Sequence, residues 1–125
     1  AGSISHTRPV ARGEFLPKAS NLEELETDCA EMAAIHNAVG CDLLLAEMMG
    51  DVDYIPCVIR AAKANDLPVW VALSARERPD GVLGTYTDQN VPFAEVLAPI
   101  TAQGAAYVMG VMHTKAKVTL SALRS

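Results

Sequence analysis

Four compact apolar runs alternate along this chain with segments of helical periodicity, and that alternation limits its fold more than any other feature of the sequence. The runs lie at residues 1–5, 42–46, 68–74 and 105–111. Leu43, Leu44 and Leu45 stand together in the second, and Val69, Trp70, Val71, Ala72 and Leu73 fill the third. Neither run alternates apolar with polar residues, the pattern expected of strands covered on both faces, as in a parallel sheet.

The segments between the runs carry helix signals. Ser20-Asn21-Leu22-Glu23 has the spacing of a capping box, in which a serine oxygen and a glutamate carboxylate satisfy free amides at a helix start. Leu22, Leu25, Cys29, Met32, His36 and Val39 follow at steps of three and four, one face of a helix, and Gly40 stands where a left-handed cap would stop it. Asp51 can cap a second helix that turns Val52, Ile55, Val58, Ile59 and Ala62 inward and ends at Asn65-Asp66. Phe93, Val96, Leu97 and Ile100 mark a third, closed by Gly104, and a last helix runs from Val118 to Leu123. Residues 6–18 and 75–90 read as loops, the second with a Pro79-Asp80-Gly81 turn. Strand–helix order of this kind predicts α/β architecture, with a parallel sheet joined by right-handed crossovers in one domain. No glycine-rich fingerprint follows any run, which disfavours a dinucleotide-binding domain.

A net charge of −5 argues against a nucleic-acid partner, which needs a concentrated basic face. The only close basic pairs, Arg76 with Arg78 and Lys115 with Lys117, read as solvated loop residues. No apolar run reaches the roughly 18 residues of a membrane span. The opening residues lack the basic and apolar stretches of a secretory signal, and Cys29, Cys41 and Cys57 have no CxxC spacing. Reduced thiols in a cytoplasmic protein are expected. The abrupt Ala1-Gly2-Ser3-Ile4 opening and the stop at Ser125 are those expected of a piece of a longer chain.

Reactive residues of parallel α/β proteins gather at the carboxyl ends of strands. Here those ends offer Ser3 and Ser5, then Glu47, Ser74 and His113. A carboxylate at 47 can hold an ammonium group or act as a base, or be a solvated rim residue. An imidazole at 113 can bind a metal, shuttle a proton or serve structure alone. Core packing is expected for His36, and His6 is a weaker candidate. Cys29 and Cys57 on helices and Cys41 before a strand are placed for burial rather than catalysis. Met48-Met49 suits a pocket wall or a core gap equally. No Ser-His-Asp order, HExxH, P-loop or zinc-finger spacing occurs.

Taken together, several strings resemble the homocysteine S-methyltransferase family. Gly40-Cys41-Asp42-Leu43-Leu44-Leu45-Ala46-Glu47-Met48 is similar to its Gly-x-Asp-Leu-Leu-x-x-Glu-Thr segment, and residues 68–74 to its next strand, which also ends in serine. Gly81, Leu83, Gly84 and Thr85 match the loop that follows, and Ala1-Gly2-Ser3-Ile4 an earlier strand. Gly110-Val111-Met112-His113 lies where the family has Gly-Val-Asn-Cys. The resemblance covers nearly the whole chain in order. It implies about four strand–helix units of a (β/α)8 TIM barrel, one partial homocysteine-binding-like domain over residues 1–125. The activity implied is methyl transfer to the thiol of homocysteine, with a small-molecule methyl donor, Glu47, Ser74 and Ser3 in the substrate site, and His113 at the first zinc-cysteine position. The family's zinc is held by three cysteines and keeps the thiol as a thiolate. This sequence has histidine at the first of these positions and no later Cys-Cys pair, so no tight zinc site is expected within this chain alone. Four barrel strands leave two open sheet edges, and a homodimer through them is expected. The alternative is a non-catalytic α/β binding or assembly module derived from the barrel.

Overall fold

The computed structural model describes residues 1–5, 22–85, 91–104 and 106–125. In chain order the elements are β1 (Gly2–Ser5), α1 (Leu22–Ala38), β2 (Leu44–Met49), α2 (Tyr54–Ala64), β3 (Val69–Leu73), β4 (Ala75–Glu77), β5 (Leu83–Thr85), α3 (Phe93–Gln103), β6 (Ala106–Val111) and α4 (Ala116–Leu123). The four apolar runs form one parallel sheet in the order β1-β2-β3-β6, each strand beside the next run in the chain. This is the α/β arrangement that the alternation predicts. Right-handed crossovers between neighbours taken in chain order place successive helices on one side of a sheet.

The core lies on that side. Ile4, Leu44, Ala46, Val69, Val71 and Leu73 of the sheet are buried against Cys29 and Ala33 of α1, Ile55, Val58, Ile59 and Ala62 of α2, and Phe93, Val96 and Ile100 of α3. The opposite face differs from the expectation of strands covered on both sides. Ser3, Leu45, Trp70 and Val108 form one register row across it, and Trp70 and Val108 are 41% and 43% exposed. The apolar runs read as doubly buried because their second face is also apolar, and sequence alone does not show whether anything lies on it.

The helix signals act largely as expected. Asp51 Oδ1 accepts hydrogen bonds from the amides of Asp53 and Tyr54 at 2.9 and 3.2 Å, satisfying donors that the α2 start would otherwise leave open. The Tyr54 hydroxyl then donates to Ser5 O at 3.1 Å and ties the start of α2 to the end of β1. Gly40 and Gly104 adopt φ of 81° and 57°, the left-handed geometry in which a side chain is strained. Three apolar positions assigned to inward faces are instead exposed: Leu22, Val39 and Val52 sit at element ends, beyond the packed centre of each helix. The loop expected at 75–90 contains an antiparallel hairpin, β4 paired with β5 about the Pro79-Asp80-Gly81 turn. The expected loop at 6–18, His6, and the Ser20 and Asn21 part of the capping box lie outside the described residues.

Replacing Asp51 with alanine removes both amide contacts and is expected to cost about 1 kcal/mol, the usual worth of a helix cap. Urea denaturation checks this: the midpoint falls in Asp51→Ala and stays near wild type in Asp51→Asn, which keeps a side-chain acceptor.

Candidate functional site

The carboxyl ends of β2, β3 and β6 are built by backbone irregularities as much as by strand order. Glu47 lies inside β2 rather than after it, because the strand runs to Met49 instead of ending at residue 46. It pairs in register with Ser5 of β1. On its other side the ladder passes from Ala46 opposite Val71 directly to Met49 opposite Leu73, so Glu47 and Met48 face the single residue Ala72. This is a β-bulge, a device that bends a strand and re-aims its side chains. Met48 takes the strain, with φ of 55°, and its amide donates to the Met112 sulfur at 3.1 Å.

Ser74 follows β3 and is fully buried. Its amide donates to Met49 O at 3.2 Å, while its hydroxyl has no hydrogen-bond partner among the described residues. An unsatisfied buried hydroxyl costs roughly 1–3 kcal/mol, and a polar ligand atom would relieve it. Beyond β6, the Met112 amide donates to Leu73 O at 2.9 Å and carries the sheet one step further. His113 then turns outward with φ of 47° and is exposed. Thr114 Oγ1 accepts from the Ala75 amide and donates to Met112 O, both at 2.9 Å, which fixes the chain after β3 to the chain after β6. Sequence reasoning passed over Thr114, since a lone threonine in a loop carries no spacing signal.

Glu47 within β2, Ser74 just after β3 and His113 two residues after β6 therefore stand toward one rim of three neighbouring strands. Ser5 shares the rim with Glu47, whereas Ser3 sits one pleat earlier, exposed and beside Leu45. Strand alternation puts Ser3, Ser5, Leu45 and Glu47 on the bare face of the sheet. His36 does more than pack. It is half-buried, and its Nε2 donates to Ser3 O at 3.1 Å. Its ring lies over Gly2, where a Cβ would come within 2.4 Å of it.

The cysteines keep structural surroundings. Cys29 and Cys57 are buried free thiols and Cys41 is half-buried, 3.9 Å from His36 Nδ1. Burial pushes the Cys57 thiol up from its ordinary value; Arg60 opposes this, and the carboxylates of Glu26, Asp53 and Asp51 add to it. With its thiol donating to Asp53 O at 3.2 Å, Cys57 is held in the neutral form, which is the unreactive one. Zinc takes three or four protein ligands, and among the described residues no three His, Cys, Asp or Glu side chains are grouped to hold a metal ion. Nor, among those residues, is any helix long and apolar enough to cross a membrane.

Compared with known proteins, the chain matches no protein-family profile and none of the curated sequences. What the rim can do follows from its own groups: a carboxylate for a cation, a buried hydroxyl for a hydrogen bond, and an exposed imidazole for a proton.

Proposed function

We propose that the chain forms the middle of an α/β barrel of the homocysteine S-methyltransferase kind and binds an amino-acid thiol at the carboxyl rim of its sheet. The observation that carries this reading is the fully buried hydroxyl of Ser74, which has no hydrogen-bond partner among the described residues and follows β3, the strand between the one that contains Glu47 and the one that precedes His113. In this reading Glu47 pairs with the substrate ammonium, which is the charge-assisted contact expected to contribute most. Ser74 offers its hydroxyl to the same end of the substrate. His113 takes the thiol proton as sulfur attacks the methyl carbon of an activated donor, so that one S–C bond forms while the donor's bond to methyl breaks.

Calorimetric titration with homocysteine tests the anchor. Glu47→Gln is expected to weaken binding at least about tenfold, equivalent to roughly 1.4 kcal/mol. Glu31→Gln, on the exposed side of α1, serves as the charge control and leaves affinity unchanged. Equal affinity in Glu47→Gln and wild type would overturn the assignment. The second reading, a non-catalytic assembly module, draws on the exposed apolar row through Trp70 and Val108. It is supported if the chain self-associates and shows no response to homocysteine.

A further inference from the structure

Gly110 lies inside β6 at a position that gives no local reason for a glycine. Its φ is outside the left-handed region that Gly40, Gly81 and Gly104 occupy. Its pairing is regular, with Ala72 opposite Gly110 and Leu73 opposite Val111, and the shift in this ladder falls earlier, between Val69 and Trp70. A Cβ built on it meets no atom of the described residues within 4 Å. Glycine inside a strand weakens it, and where bulge, bend and crowding are absent, its remaining use is to let a ligand or another chain approach the backbone closely.

The position belongs to the same face as the rim residues. Strand alternation puts Ala72 and Gly110 on the bare face, in the row next to Trp70 and Val108 on the carboxyl side. On β2 the bulge sets Glu47 opposite Ala72, so a carboxylate, a methyl group and a bare backbone follow one another across three strands. Glu47 is half-buried and has no hydrogen-bond or ion-pair partner among the described residues. One step beyond β3, the same alternation brings Ser74 to that side, fully buried and with its hydroxyl unpartnered among the described residues. β2 and β6 stand two strand spacings apart, about 10 Å, which the Glu47 side chain and a short amino acid span together.

We infer that Gly110 is a specificity-determining residue of the rim: the ligand held at Glu47 lies across the strands over Ala72, and its far end fills the space in front of Gly110. The inference rests on the amino-acid reading of the rim and adds a direction to it. The carbon chain runs from β2 toward β6, which carries the sulfur toward the end of β6 that leads to His113. A side chain at position 110 would project into that path, and a β-branched one would close it. The indole of Trp70, 41% exposed and one pleat from Ala72, borders the same path.

Trp70 is the chain's single tryptophan, so its fluorescence reports on the path without a label. Homocysteine is expected to change that fluorescence saturably and to reduce its quenching by acrylamide. Gly110→Val is expected to keep the urea midpoint at or above wild type, because valine suits a strand better than glycine. The same variant is expected to weaken homocysteine at least about tenfold, with Gly110→Ala between the two. Glu47→Gln separates this inference from the reading beneath it. Weakened binding in Glu47→Gln beside wild-type affinity in a folded Gly110→Val would overturn the role of Gly110 and leave the Glu47 anchor standing. Saturable calorimetric binding that leaves Trp70 fluorescence unchanged rules out the path, even where the valine variant does not fold. No binding to the wild-type chain overturns both.

Discussion

Phe93→Ala is expected to lower the unfolding free energy by about 3–5 kcal/mol, the usual cost of emptying a large aromatic site in a core. Phe93 is only 2% exposed and opens α3, where that helix joins the same core as β3 and α2. Domains of this size hold about 5–15 kcal/mol in total, so the loss reaches a large share of the whole. Urea denaturation followed by far-ultraviolet dichroism reads it directly. By contrast, Leu120→Ala, at a site 56% exposed on α4, is expected to change the midpoint little. Equal effects at the two positions would mean that α3 is not part of the core.

At micromolar concentration the chain is expected to sediment as a dimer or larger species. β6 stands at one end of the sheet order, and three successive large apolar residues on it, Tyr107, Val108 and Met109, are 79%, 43% and 40% exposed. An edge strand of that composition is a template for pairing with another chain, since it offers unpaired backbone donors and acceptors beside apolar surface. Covering even a few hundred Å2 at about 25 cal/mol per Å2 contributes several kcal/mol toward association. A second copy paired through this edge is the occupant we propose. Val108→Lys places a charge in the middle of the edge and is expected to shift the sedimentation coefficient to that of the monomer. Concentration-independent monomer sedimentation of the wild-type chain would contradict the expectation.

The strand order was legible because alternating apolar runs and helical periodicity leave few topologies for a chain of this length, and Gly40 and Gly104 marked two helix ends by their left-handed geometry. The bulge at Met48 was not. Nothing in Glu47-Met48-Met49 announces a left-handed methionine, so β2 read three residues short and Glu47 seemed to follow the strand. The β4–β5 hairpin was hidden because its strands, Ala75–Glu77 and Leu83–Thr85, are too short for the apolar alternation that reveals longer ones. Ser74 was legible by position at a strand end, but its burial with an unpartnered hydroxyl is a property of packing. The meeting of Arg76 and Arg78 with Lys115 and Lys117 around one cavity is tertiary in the same sense.

An amino-acid thiol bound at the carboxyl rim of the sheet, as we propose, is tested most directly by where it binds. Homocysteine titrated into isotopically labelled chain is expected to shift the amides of residues 47–49, 74–75 and 112–114 saturably. The amides at the opposite ends of the same strands, 43–44, 69–70 and 106–107, are expected to stay in place. Shifts confined to that opposite rim, or no saturable shift at either, would contradict the account.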